Sequence, residues 1–221
     1  MARSARSSID VNLEFHTRAR SRDHYVAVFM GKEARSKYLE DLDLVLNARG
    51  FRRRRTQKEW KCRAGSRDEL WIHINFGKSV VNPSFGVKYV DLASVLPESS
   101  GAVTGTMVML SYVFDRPRSY IIEEGSEPVA RDLCAKGFDM LSSLRDRGFV
   151  IEMLKSKLPS DWPVVSYSER IRLLPILLAN EGRLREALNL LEHFRSESIG
   201  RDQILPQYET FATTFSERFA T

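Results

Sequence analysis

The chain has 221 residues, of which 43% are hydrophobic and 29% charged, enough apolar content for one well-buried core and against a disordered chain. Its apolar runs fall far short of the ~20 residues a spanning helix needs, and its two cysteines, Cys62 and Cys134, form no CxxC pair, so a membrane span and a disulfide framework are both excluded as expectations. The net charge of +5 is polarised: residues 1–63 hold 16 Lys and Arg against 8 Asp and Glu, and the remainder 18 against 21, which favours acidic partners at the basic end.

Residues 1–29 are rich in Arg and Ser, with little periodicity, and read as a poorly ordered basic extension. Asp10, Glu14 and Asp23 break the acid-poor pattern of a mitochondrial presequence, and with no secretory signal the expected location is the cytoplasm. From Lys32 to Ala48, Tyr38, Leu39, Leu42, Val45 and Leu46 recur at helical spacing, with Glu40, Asp41 and Asp43 on the opposite, solvated side. Gly50 supplies the stop.

Strand patterns follow. Gln57–Ala64 places Trp60 and Cys62 in phase, and Glu69–Phe76 does the same for Leu70, Ile72, Ile74 and Phe76, with GlySerArgAsp at 65–68 as the hairpin turn. A third strand is predicted from Ser84 to about Val90, entered through a turn at 81–84, a fourth over Gly105–Phe114, and a short fifth over Arg118–Glu123. With no crossover helix between them, antiparallel pairing is expected.

After Glu127 the period turns helical. Pro128 fits a first turn, and Val129, Leu133, Phe138, Leu141 and Leu144 continue the stripe. Further helices are predicted over 148–157, 166–180 with Ser168 as N-cap and a kink at Pro175, 183–194, and 207–219. Tyr208, Phe211, Phe215 and Phe219 form an aromatic stripe of near-helical period, read as core. The expected fold is α+β: an N-terminal helix packed on a four- to five-stranded antiparallel sheet (30–124), then an all-helical C-terminal region (125–221) packed on the sheet domain.

Catalytic candidates are thin. His16, His24, His73 and His193 are isolated from one another and from cysteines, and no GxxxxGK[ST], GxGxxG or GxSxG occurs, so no metal, cofactor or phosphate loop is expected. Cys62, in phase with Trp60, reads as a buried inert thiol. The basic run needs more weight. In an extended chain successive side chains point to opposite faces, so only two of Arg52, Arg53, Arg54 and Arg55 share a surface. Lys61 and Arg63 fall on the solvent face opposite Trp60, and Lys58 adds charge nearby. Basic residues interleaved with aromatics on a sheet can grip single strands, but the same charges can protect a sheet edge and cover a helix end. The candidate partner-binding set is Arg52, Arg53, Arg54, Arg55, Lys58, Lys61, Arg63, Trp71, His73, Asn75 and Lys78.

The order of helix, GFRRR, Trp, INFGKS and SFGVKY over residues 32–115 resembles a bacterial family, domain of unknown function 4304. Gly50, Phe51, Arg53, Trp60, Ile74, Asn75, Phe76, Lys78, Ser79, Phe85 and Val87 match its outline, whereas Gly77 stands where the pattern has Gln and Lys88–Tyr89 where it has Asn–Leu. The resemblance implies a small α+β module of the kind found among toxin-immunity and defence genes. Residues 170–194 also resemble one tetratricopeptide-type helix pair, with Gly182, Ala187 and Leu188 at the tight-packing positions; one repeat is too few for a solenoid. The leading expectation is a non-enzymatic protein-interaction module of immunity type. The alternative is a basic nucleic-acid-binding accessory protein, and a third reading is an enzyme built from scattered residues such as His73, Asn75 and Lys78.

Overall fold

The computed structural model describes residues 31–54, 57–114, 118–198 and 205–219; the expected N-terminal extension and Arg55 lie outside them. The first helix, α1 (Lys32–Ala48), buries Tyr38, Leu39, Leu42 and Leu46 as its spacing predicts. It ends in a Schellman turn. Gly50, at φ 84°, lets its own N–H reach the Asn47 carbonyl (3.1 Å) and Phe51 N–H the Leu46 carbonyl (3.0 Å), a left-handed position that costs glycine least.

Strands β1 (Arg52–Arg53), β2 (Glu59–Ala64), β3 (Asp68–Phe76), β4 (Val80–Tyr89) and β5 (Val108–Met109) lie side by side in that order, and β6 (Tyr120–Ile121) pairs with the start of β4. All pairings are antiparallel. Alternation sends Trp60, Ile72, Ile74, Phe85 and Val87 to one face, where each is fully buried beside Leu42 and Leu46 of α1. Burying a side chain of this size stabilises the fold by about 1.5–3 kcal/mol.

Three expectations are corrected here. Residues 81–84 are strand, not turn: the hairpin turns at Lys78–Ser79, closed by Gly77 N–H to the Val80 carbonyl (2.8 Å), and Pro83 pairs with Ile74. Ile74 directs its N–H the other way, to Lys58 O (2.9 Å), so Pro83 occupies a position where no N–H is required toward β3. Its missing donor faces the outer edge, between the β6 contact at 80–81 and the β5 contact at 84–85.

The predicted strand 105–114 shrinks to Val108–Met109 because Thr106 interrupts the ladder. Its N–H donates to the Val87 carbonyl (2.9 Å), but its hydroxyl, not its carbonyl, accepts from Val87 N–H (3.0 Å). The segment then leaves the sheet: Met107 N–H donates to Pro163 O (2.8 Å), and a 3-10 turn at Leu110–Tyr112 buries Leu110. The fifth predicted strand is likewise only β6, followed by a 3-10 turn at Ile122–Glu124.

The helical half runs α2 (Glu127–Asp132), a π turn at Leu133–Gly137, α3 (Phe138–Ser143), α4 (Arg147–Lys155), α5 (Tyr167–Asn180), α6 (Leu184–Ser198) and α7 (Leu205–Phe219). The third correction is the cap of α5, which is Ser166 rather than Ser168. Ser166 is extended (φ −143°, ψ 157°) and accepts from Glu169 N–H (3.2 Å), while Ser168 sits in the first turn and binds Arg172 (3.2 Å). Gly182 (φ 75°) closes the α5–α6 hairpin. The aromatic stripe of α7 is core, with Tyr208, Phe211 and Phe215 fully buried and the Tyr208 hydroxyl donating to Leu191 O (2.8 Å).

Sheet and helices share one hydrophobic cluster. Polar ties cross between them: the buried Tyr89 hydroxyl donates to Leu144 O (2.7 Å), Arg147 to both oxygens of Asp91 (2.6 and 2.7 Å), and Arg172 to Gly101 O (2.7 Å). Asp132, buried in α2, accepts from Arg118 (2.7 and 2.8 Å) and from the Tyr120 hydroxyl (3.1 Å), which fixes β6 against α2. Among the described residues no helix is long and apolar enough to cross a membrane.

Candidate partner-binding face

An antiparallel sheet can bury one face and leave the other wet. Here helices cover the Trp60 face, and the opposite face stays open. Register places on that open face Arg52 of β1, Glu59, Lys61 and Arg63 of β2, Glu69, Trp71, His73 and Asn75 of β3, and Ser84, Gly86 and Lys88 of β4. A shallow groove of about 380 Å³ crosses it, lined by Glu59, Lys61, Glu69, Trp71, His73 and Lys88 and bounded by Thr104–Met107.

Trp71 stands at the centre, half-buried, opposite Gly86. A Cβ on Gly86 would lie 2.8 Å from the Trp71 ring and 1.8 Å from the Thr106 carbonyl oxygen. The glycine therefore lets the indole and the Thr106 peptide lie against the strand backbone. Around the ring the charges are mixed. Lys61 Nζ sits between Glu69 (3.1 Å) and Glu59 (3.2 Å); the hydrogen bond to Glu69 raises its pKa, burial opposes this, and Glu59 adds to the rise. Exposed pairs of this kind contribute about 0–1 kcal/mol, so a partner can rearrange them cheaply.

The arginine run divides as alternation predicts, with a sharper outcome. Arg52 is exposed, and its Nη1 donates to the Asn47 carbonyl in the last turn of α1 and to the Phe51 carbonyl just beyond it (both 2.9 Å). Arg53 turns inward with only 6% of its side chain exposed. Its Nε and Nη2 bind the Asp43 carboxylate (3.0 and 2.6 Å), its Nη1 donates to Gln57 O (3.0 Å), and its guanidinium lies 5.2 Å from the Trp60 ring centre. Arg53 thus leaves the candidate surface set, and Asp43, expected on the solvated side of α1, is corrected to a sheet-facing residue.

The reason is polar satisfaction: the buried Trp60 indole needs an acceptor, and Asp43 Oδ1 provides it at 2.6 Å. Burial pushes the Asp43 carboxyl upward, but the hydrogen bonds from Arg53 and Trp60 and the charge of Arg53 outweigh it and hold the group below the usual carboxylate range.

Of the remaining candidates, Arg54 is exposed beyond β1, and Lys58 reaches over the Phe76 ring (5.6 Å), away from Trp71. Lys78 is exposed in the β3–β4 turn, past the end of the face that carries His73 and Asn75. The structure therefore gathers Arg52, Lys61, Arg63, Trp71, His73 and Asn75, and separates Arg53, Lys58 and Lys78 from them. Glu59, Glu69 and Lys88 belong to the face but escaped the sequence reading, although the same alternation that found Lys61 marks them. Thr106 has no local signal at all. Among the described residues, no three His, Cys, Asp or Glu side chains gather where they could hold a metal ion.

In comparisons with known proteins, no family profile, no curated protein and no solved structure matches the chain.

Proposed function

We propose that the chain is a binding protein that engages another protein through the open face of its sheet, and that it blocks that partner by covering it, as an immunity protein blocks a toxin. The observation that carries this reading is Trp71, a half-buried aromatic at the centre of an uncovered face and ringed by charges of both signs. An aromatic anchor inside a polar rim is the usual anatomy of a protein–protein hot spot. The arginine run supports the same choice over nucleic acid. Arg53 is buried on Asp43 and Arg52 is engaged at the end of α1, so the run does not present a line of cations to a phosphate backbone. Occlusion needs shape and charge complementarity and no reacting group. The immunity role rests on the resemblance of residues 32–115 to a family of unknown function found among toxin-immunity and defence genes, and the cytoplasmic setting on the two unpaired cysteines and the lack of a secretory signal in the sequence.

The test is capture from the native host at physiological salt with the full chain and its Trp71→Ala variant, alongside mobility shifts of DNA and RNA. The expected result is one protein partner whose capture falls by about thirtyfold or more in the variant, as loss of a hot-spot tryptophan of about 2 kcal/mol requires. Nucleic-acid binding that survives physiological salt, with no protein captured, overturns the reading.

A further inference from the structure

The chain has six methionines, and the four that follow Met30 all line one groove: Met107, Met109, Met140 and Met153. The groove is about 410 Å³, room for several aliphatic side chains, and runs between β5 with its 3-10 turn, helices α3 and α4, and the loop around Trp162. All four methionines are half-buried. The lining includes exposed apolar residues, Tyr112 at 63% and Val165 at 58%. Methionine is unbranched and polarizable, and a surface lined with it moulds to apolar side chains that enter it. Contiguous exposed apolar area of this kind marks an interaction site.

Two neighbouring features define what enters. Met107 lines both this groove and the groove on the open sheet face, so the two surfaces meet at that residue. Leaving aside Arg52, which is engaged at the end of α1, the sheet face carries Lys61, Arg63 and Lys88 against Glu59 and Glu69, three cations to two carboxylates. The methionine groove has one charged lining residue, Asp161, whose oxygens accept from Ser156 Oγ (2.5 Å) and Ser160 Oγ (3.4 Å). Strand addition is disfavoured at the adjacent edge, because β5 has two residues and Met107 N–H already donates to Pro163 O (2.8 Å). Recognition there must come from side chains, which is how a groove reads an amphipathic helix through residues three and four apart.

We propose that the partner of the sheet face also lays the apolar side of an amphipathic helix into the methionine groove, with an acidic flank that extends over the basic sheet face. This inference rests on the protein-binding reading of that face, and the experiment separates the two. A photo-crosslinking amino acid is placed in the full chain at His73 in one strain of the native host and at Val165 in another, and the crosslinked peptides are sequenced by mass spectrometry.

The same protein is expected from both positions. The peptide joined at Val165 should carry apolar residues three and four apart beside an acidic stretch, and Tyr112→Glu, on an exposed side chain that leaves the melting temperature unchanged, should reduce capture at least tenfold. Crosslinks at His73 without any at Val165 leave the protein-binding reading standing and overturn the helix proposal. A polar peptide, a nucleic acid or a second copy of this chain at Val165 overturns it as well. No protein at either position overturns both.

Discussion

Trp60 and Trp71 are carried by neighbouring strands of one sheet, and they meet opposite fates. Trp60 is fully buried under α1, its indole N–H satisfied by Asp43 at 2.6 Å and its ring stacked on by Arg53. Trp71 lies half-buried on the open face, against a glycine, among charges that exchange partners at little cost. The covered face holds the fold through close burial and a satisfied indole; the open face leaves an aromatic partly exposed. A basic run crosses from one regime to the other, so that Arg53 serves the core while Arg52, its neighbour, serves the surface end of a helix.

The sharpest way to break this contrast is to remove each indole in turn. Trp60→Ala should cost about 3–5 kcal/mol of stability by leaving a cavity in a close-packed core. Trp71→Ala should cost far less stability, and its effect should appear in partner capture. Urea denaturation of both variants with equal m-values measures the difference, and equal losses would end the two-face distinction.

Asp43→Asn comes next. It removes the Asp43 charge from beside the buried Arg53 guanidinium, at a cost of about 2–3 kcal/mol, the partial exposure of Asp43 keeping it at or below the low end of what breaking a buried pair costs. The folded carboxyl titrates below its unfolded value, so its stabilisation is complete above the ordinary carboxylate range and is lost as pH falls through the lower, folded pKa. The stability gap between wild type and Asp43→Asn should therefore be constant near neutrality and close below about pH 4. A gap that widens on acidification contradicts the assignment.

Gly86→Ala tests how the open face is supported. The new methyl would meet the Thr106 carbonyl and the Trp71 ring, so the β4–β5 contact must open, at about 1–3 kcal/mol for overpacking. Amide exchange at Val87 and Thr106 should rise with it. The smallest effect belongs to Lys61→Ala: stability should move by less than about 1 kcal/mol, because its two carboxylate partners are solvent-accessible. A larger loss would place Lys61 with the structural residues.

Much of this architecture is written in period. The apolar spacing of α1, the glycine that ends it, the alternation in β2 and β3 and the aromatic stripe of α7 each depend on residues a few positions apart, and each was readable because local geometry repeats at 3.6 or 2.0 residues. Alternation also assigned Lys61 and Arg63 to a solvated strand face, where the structure has them beside His73 and Asn75.

What the sequence could not reveal are the outcomes set by distant partners. Asp43 looks like one more solvated acid on a helix until Trp60 and Arg53 are laid against it. Pro83 reads as a turn residue until the gap between β5 and β6 shows where its missing N–H points. Thr106 reads as an ordinary strand residue until its hydroxyl takes the N–H of Val87. The four methionines at 107, 109, 140 and 153 share no spacing, and only the packing of β5 against α3, α4 and the Trp162 loop assembles them. Local periodicity determined which segments are helix and strand and which strand faces are wet; tertiary packing alone decided which charge is satisfied inside and which surfaces join, because those depend on contacts between residues the chain separates.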